Sequence, residues 1–207
     1  DGIRREDRTL QTVGVSHVQS RGVRGGAIIN LEEATQSIAQ AVERAETVAG
    51  VNVQGVTVTT AGGQLSSSRV RTQVSLGARP ISDHDLSRAI TAAVNQVRCQ
   101  GRRPIHLLPI AWSVDGLRGI RDPRAMTGRA LGLELLVVTI ADQAFQTLSH
   151  CVERAHLHFL GVVAAPFSSA LAALEEDEMD LGCVCIDMGG GSTSAAVWGG
   201  RSLLHIE

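Results

Sequence analysis

Residues 187–193 read Asp-Met-Gly-Gly-Gly-Ser-Thr and lie between two apolar stretches, 183–186 and 194–198. Glycine weakens a strand, so three in a row require a reason. Alternation over 182–188 sends Cys183, Cys185 and Asp187 to one face of a strand and Val184, Ile186 and Met188 to the other. Asp187 thus leaves the strand at the rim of a sheet. Gly189, Gly190 and Gly191 can adopt positive φ, and without side chains they let backbone N–H groups approach an anion closely. Ser192 and Thr193 add hydroxyl donors. A strand, a glycine turn and a returning strand can wrap a triphosphate. The backbone would bind phosphate oxygens, and the Asp187 carboxylate would hold Mg²⁺ or its waters. A plain tight hairpin is the alternative, but one or two glycines suffice for it. No helix follows, so this is not the dinucleotide fingerprint, and without Gly-Lys-Thr it is not a P-loop.

Other candidates for chemistry are sparser. Every basic residue is arginine, and there is no tyrosine. That excludes a Schiff-base lysine, a P-loop lysine and a tyrosine acid. The four cysteines form no Cys-x-x-Cys pair. Cys183 and Cys185 read as small buried hydrophobes rather than metal ligands, since zinc takes four clustered donors. Nothing argues for disulfides, so a reducing cytoplasm is the default. Seven histidines are scattered. His156 and His158 share one side of a strand-like turn and, without acidic or cysteine neighbours, read as surface or packing residues. Ser66, Ser67 and Ser68, like Ser168 and Ser169, lack a paired base and read as structural. Arg102, Arg103, Arg118, Arg121, Arg124 and Arg129 make the middle of the chain locally basic. A solvated surface is the plainer account, and an acidic partner surface the functional one. The net charge of −2 gives no pull toward nucleic acid. No apolar run approaches the roughly 20 residues of a membrane-spanning helix. The charged start, 1–10, lacks a signal peptide's apolar centre and an initiator Met, so a longer parent chain is expected.

Periodicity supplies the elements that must position these residues. A strand is expected over 10–19. Leu31, Ala34, Ile38, Ala41, Val42, Ala45 and Val48 share one face of a helix that Gly50 stops. Strands follow at 55–63 and 66–76. Ser82 is placed to cap a helix with Asp83 and Asp85 at its positive end, closed at Gly101. Strand 104–116 contains Pro109, which predicts an edge or a bulge. A loop is expected over 119–132 and an apolar strand over 133–141. Then come a helix over 142–155, a strand over 159–165, a helix over 166–174, an acidic connector over 175–180, the strand 182–188 and a hairpin turning at Gly199-Gly200. The outer parts alternate helix and strand as in an α/β layer fold. The middle, roughly 63–138, reads as a small strand–helix–strand insert.

The stretch CIDMGGGSTSAAVW, 185–198, resembles the second phosphate-binding hairpin of the actin/Hsp70/sugar-kinase superfamily. Stretches 20–46, 105–139 and 151–174 resemble, in order and with fitting spacing, the bacterial cell-division FtsA family. The resemblance implies an α/β fold: an actin-like (ribonuclease H-like) subdomain 1A interrupted by a small α+β SHS2-type 1C subdomain. Subdomain 1A maps onto 1–62 and 139–207, and 1C onto 63–138. Phosphate binding carries over to Asp187, Gly189, Gly190, Gly191, Ser192 and Thr193. Asp187 is expected to hold Mg through water. Many relatives have Asp after the Thr, where this chain has Ser194, so a second acidic metal contact is not expected.

The resemblance further implies ATP and Mg as cofactors of a scaffold rather than an enzyme. Such a protein self-assembles, tethers FtsZ to the cytoplasmic face of the inner membrane at the division site, and recruits later division proteins through 63–138. The family's first phosphate hairpin, Asp-x-Gly-[Ser/Thr]-[Ser/Thr], does not occur. The adenosine-binding lobe and the amphipathic membrane helix would lie beyond Glu207. A fragment of the N-terminal half is therefore expected, soluble and weak or inactive toward nucleotide by itself. Two alternatives stand beside it. An exopolyphosphatase-type phosphohydrolase carries Glu after the Thr, which Ser194 does not supply. A pilus-assembly actin homologue carries a similar insert.

Overall fold

Leu131, Leu133, Leu135 and Val137 leave one strand toward a first core, and Leu136 and Val138 leave the same strand toward a second. All six are almost wholly buried, so the strand is covered on both faces. The near-continuous apolar run 131–138 is what two-sided burial requires. Each such side chain contributes about 1.5–3 kcal/mol of transfer free energy.

The computed structural model describes residues 2–4 and 10–207. Its elements begin with β1 (Gly2–Arg4), β2 (Leu10–Thr12), β3 (Val23–Arg24) and β4 (Ala27–Ile28), then α1 (Leu31–Ala49) and β5 (Gly55–Thr60). The insert holds β6 (Ser66–Ser75), α2 (Asp83–Val94), β7 (Arg102–Val114), β8 (Leu117–Ile120) and β9 (Ala130–Ala141). After it come α3 (Asp142–Arg154), β10 (His158–Ala164), α4 (Ala165–Ala173), α5 (Glu176–Leu181), β11 (Cys183–Met188), β12 (Thr193–Gly199) and β13 (Ser202–Ile206). The insert forms a four-stranded antiparallel sheet in the order β6-β9-β7-β8, with α2 on one face. Parallel β5 and β10 pair separately, and β11-β12-β13 form a third, antiparallel sheet.

The expected elements are present with some differences. Asn30 caps α1 by accepting from the Glu33 amide at 3.2 Å, and Gly50 ends it in the left-handed region, φ 67°. Val48, expected on the buried face, is exposed. Ser82 stands at the N-cap of α2 and is held by Asp85: its N–H and hydroxyl both donate to Asp85 Oδ2, at 3.0 and 2.8 Å. That helix ends at Val94 rather than near Gly101, because the Gln96 and Val97 amides bond three residues back, to Ala93 and Val94. Pro109 sits at a register shift of β7 against β9, the bulge that a residue without an N–H favours.

Four expectations need correction. The strand over 10–19 shortens to Leu10–Thr12, which among the described residues pairs with β1. The loop over 119–132 contains the end of β8 and the start of β9, because pairing with β7 extends both. The acidic connector contains a short helix, α5, in which Glu175 and Glu178 cap each other reciprocally. The last hairpin turns at Gly200-Arg201, one residue later than expected, both at positive φ. Of the charged start, residues 1 and 5–9 lie outside the described residues.

Candidate functional site

The glycine run forms the tip of the β11–β12 hairpin. Asp187 lies opposite Ser194 and Met188 opposite Thr193, and the Gly189 amide donates to the Ser192 carbonyl at 2.9 Å to close the turn. None of Gly189, Gly190 and Gly191 has positive φ. Their freedom in φ is therefore unused, and the lack of a side chain is what counts. A Cβ on Gly190 would meet nothing within 4 Å, whereas one on Gly191 would lie 3.2 Å from Gly25 Cα and N. All three glycines are exposed, as is Thr193, while Ser192 is half-buried. Among the described residues, the Gly190 and Gly191 amides donate to no backbone oxygen. Two free, exposed amides in a bare turn fit a polyphosphate.

Asp187 is less open than expected. It is half-buried on the inner face with Cys183 and Cys185, and Ser169 Oγ of α4 donates to its Oδ2 at 2.8 Å. Among the described residues only that one carboxylate oxygen is engaged, so Oδ1 keeps its capacity to accept a hydrogen bond. Ser194 Oγ, on the same face, is buried without a hydrogen-bond partner among the described residues. Cys183 and Cys185 pack against the second core as small hydrophobes. Val184, Ile186 and Met188, on the opposite face, are exposed.

Sequence reasoning missed two residues here. Ser169 was read as structural, yet it is the partner of Asp187. His106, one of the scattered histidines, joins the insert to α4. His106 lies on β7, and its Nε2 accepts from the Ala164 amide at 3.0 Å. Its ring sits 4.9 Å from that of Phe167, which in turn stacks on Trp198 at 5.8 Å. Burial lowers the His106 pKa, which favours the neutral ring that this hydrogen bond needs. No local pattern joins 169 to 187 or 106 to 164, so neither link has a signal in the sequence.

A separate cavity of about 490 Å³ is lined by Gly25, Gly26, Thr60, Gly62, Gly63 and Thr147, among others. The 187–193 hairpin does not line it. The two places meet at the Gly25-Gly26 turn. Gly25 faces Gly191, and a Cβ on Gly26 would lie 2.6 Å from Gly62 Cα. Three of the six locally basic arginines are paired with acids. Arg103 bonds Asp142 at 2.9 Å, Arg124 bonds Asp83 at 2.7 Å and Asp122 at 2.9 Å, and Arg121 bonds Asp180. The solvated-surface account therefore covers these three.

Three comparisons bear on this arrangement. The domain family described as "SHS2 domain inserted in FTSA" matches residues 62–139. Cell division protein FtsA of Agrobacterium fabrum is 40% identical over 198 residues, covering 96% of this chain and 45% of that protein. The chain belongs to the FtsA family. FtsA of Pseudomonas aeruginosa is 31% identical over 199 residues, covering 96% of this chain and 48% of that protein. The chain thus spans about half the length of the curated FtsA proteins it matches. Among solved structures, a chain of the PilM–PilN type IV pilus biogenesis complex superposes with a TM-score of 0.59 at 15% identity, covering 96% of this chain and 54% of that one. That likeness concerns the fold alone. Like other FtsA sequences, the chain has an α/β, actin-like core interrupted by an SHS2 insertion.

Proposed function

We propose that the chain supplies one phosphate-binding jaw of an actin-like cell-division scaffold that binds ATP with Mg²⁺. The observation that carries this reading is the bare 189–191 turn with its two free amides beside Asp187. The triphosphate would accept from the Gly190 and Gly191 amides and from Ser192 and Thr193. Asp187 would orient a water of the cation. The cation, when bound, neutralises phosphate charge; the chain's own part is to position and to exclude side chains from the turn. The protein acts as a scaffold rather than as an enzyme. It self-associates, tethers FtsZ at the cytoplasmic face of the inner membrane, and meets later division proteins through 63–138. No helix among the described residues is long and apolar enough to cross a membrane.

The FtsA relatives favour division over pilus assembly, since the pilus protein is similar at only 15% identity. A phosphohydrolase of the exopolyphosphatase type is disfavoured because the position after Thr193 is a buried serine. The test is equilibrium binding of labelled ATP with Mg²⁺ by the protein at the full length of its relatives, with and without Asp187→Ala. Loss of a charge-assisted contact should weaken binding about ten-fold or more. Equal affinities would remove Asp187 from the site.

A further inference from the structure

Helix α4 touches the SHS2 sheet and both strands of the glycine hairpin. At its start, the Ala164 N–H donates to His106 Nε2 of β7 at 3.0 Å. One turn on, Phe167 lies between the His106 ring, 4.9 Å away, and the Trp198 ring of β12, 5.8 Å away with planes 10° apart. Two residues later, Ser169 Oγ holds Asp187 Oδ2 of β11 at 2.8 Å. The helix is nine residues long, and its N-cap, Ala164, makes no side-chain cap. The imidazole of His106 instead accepts from the N-cap residue's own amide, as the third-position side chain of a capping box would, but from another sheet.

We infer that α4 couples the SHS2 subdomain to the phosphate hairpin, with Ser169 as the positioning residue for the Asp187 carboxylate and His106 as the anchor in the insert. The relevance to nucleotide rests on the reading proposed above; the mechanical link does not. A short helix moves as a unit. Ser169 lies about 7.5 Å along the axis from Ala164 at 1.5 Å per residue, so a small tilt at the His106 end displaces the hydroxyl that orients Asp187. Aromatic stacking on Trp198 carries the same tilt to the other strand of the hairpin. The coupling is reciprocal: whatever draws Asp187 away from Ser169 also biases the seat of His106. A partner docking on the insert and an anion docking on the hairpin would thereby sense each other.

The test uses the 207-residue chain labelled with ¹³C and ¹⁵N. It reads the Asp187 carboxyl carbon and the amides of Gly189, Gly190 and Gly191 by NMR. Ser169→Ala should move all four resonances, and Ser169→Thr, which keeps the hydroxyl, should leave them near their original positions. His106→Phe keeps a ring against Phe167 but cannot accept from Ala164. It should move the same resonances in the same direction, and add nothing in the double variant with Ser169→Ala. The inference is overturned if His106→Phe perturbs only residues 160–170. Independent addition of its effect to that of Ser169→Ala would overturn it as well, as would Ser169→Thr behaving like Ser169→Ala. Titration with Mg²⁺·ATP, carried out on the protein at the full length of its relatives, separates the two readings. No shift at Gly189, Gly190 and Gly191 removes the phosphate assignment from this chain and leaves the measured coupling in place. Where nucleotide binds, His106→Phe should change its affinity by about five-fold or more, and an unchanged affinity overturns the link to the ligand.

Discussion

His106 carries its proton on Nδ1, because Nε2 accepts the Ala164 amide. Burial sets its pKa below the ordinary 6.5. As pH falls through 6.5 the unfolded chain takes up this proton before the folded one does, so the contribution to stability is lost on acidification. The melting temperature should therefore drop more between pH 7.5 and 5.5 in the wild type than in His106→Phe. Parallel slopes in thermal melts would remove His106 as the cause. Asp85 behaves in the same sense, but at much lower pH. Its buried carboxylate accepts from the Ser82 amide and from Arg79, which holds its pKa far below the ordinary 3.8. Its contribution is present above that value and is lost only in strong acid. Glu134 lies between Arg71 and Arg69, which likewise lower its pKa, at a more exposed position.

At the scale of elements, β9 is the strand on which both cores depend. Leu135→Ala, at a fully buried position, should cost about 2–5 kcal/mol in urea unfolding. Leu160→Ala on β10, 68% exposed, should stay within about 0.5 kcal/mol. The glycine turns divide in the same way. A Cβ on Gly62 would overlap the Gly26 carbonyl, so Gly62→Ala should cost about 1–3 kcal/mol. Gly190 has open space and no positive φ. Gly190→Ala should leave stability within about 0.5 kcal/mol while weakening Mg²⁺·ATP binding, because the new methyl would stand where the proposed site takes its anion. Normal binding by that variant would argue against the cradle.

At the scale of the molecule, the insert is not an appendage. Leu136 and Val138 of β9 share a core with Trp198, Leu203 and Ile206 of the C-terminal sheet. Ser67 of β6 and Ile206 of β13 exchange hydrogen bonds of 2.9 and 3.0 Å. Removal of 62–139 should therefore abolish cooperative melting by calorimetry rather than merely delete a contact surface. A sharp transition in the deleted chain would show that the two units fold apart. The ion pairs across the same boundary, Arg121 to Asp180 and Arg103 to Asp142 at 2.9 Å, are partly exposed. Each is worth only about 0–1 kcal/mol, so added salt should move the melting temperature little.

Local chemistry was enough to place the helices 31–49, 142–154 and 165–173, the N-cap Ser82, the bulge at Pro109 and the Asp187–Thr193 hairpin. Each depends on periodicity, capping or a glycine run within a few residues, and those forces act along the chain. The extent of β8 and β9, the exposure of Val48, the turn of Asp187 toward Ser169 and the seat of His106 were decided by tertiary structure. Each needs a partner tens of residues away, and a hydrogen bond or a covered face across that gap leaves no mark on either segment alone.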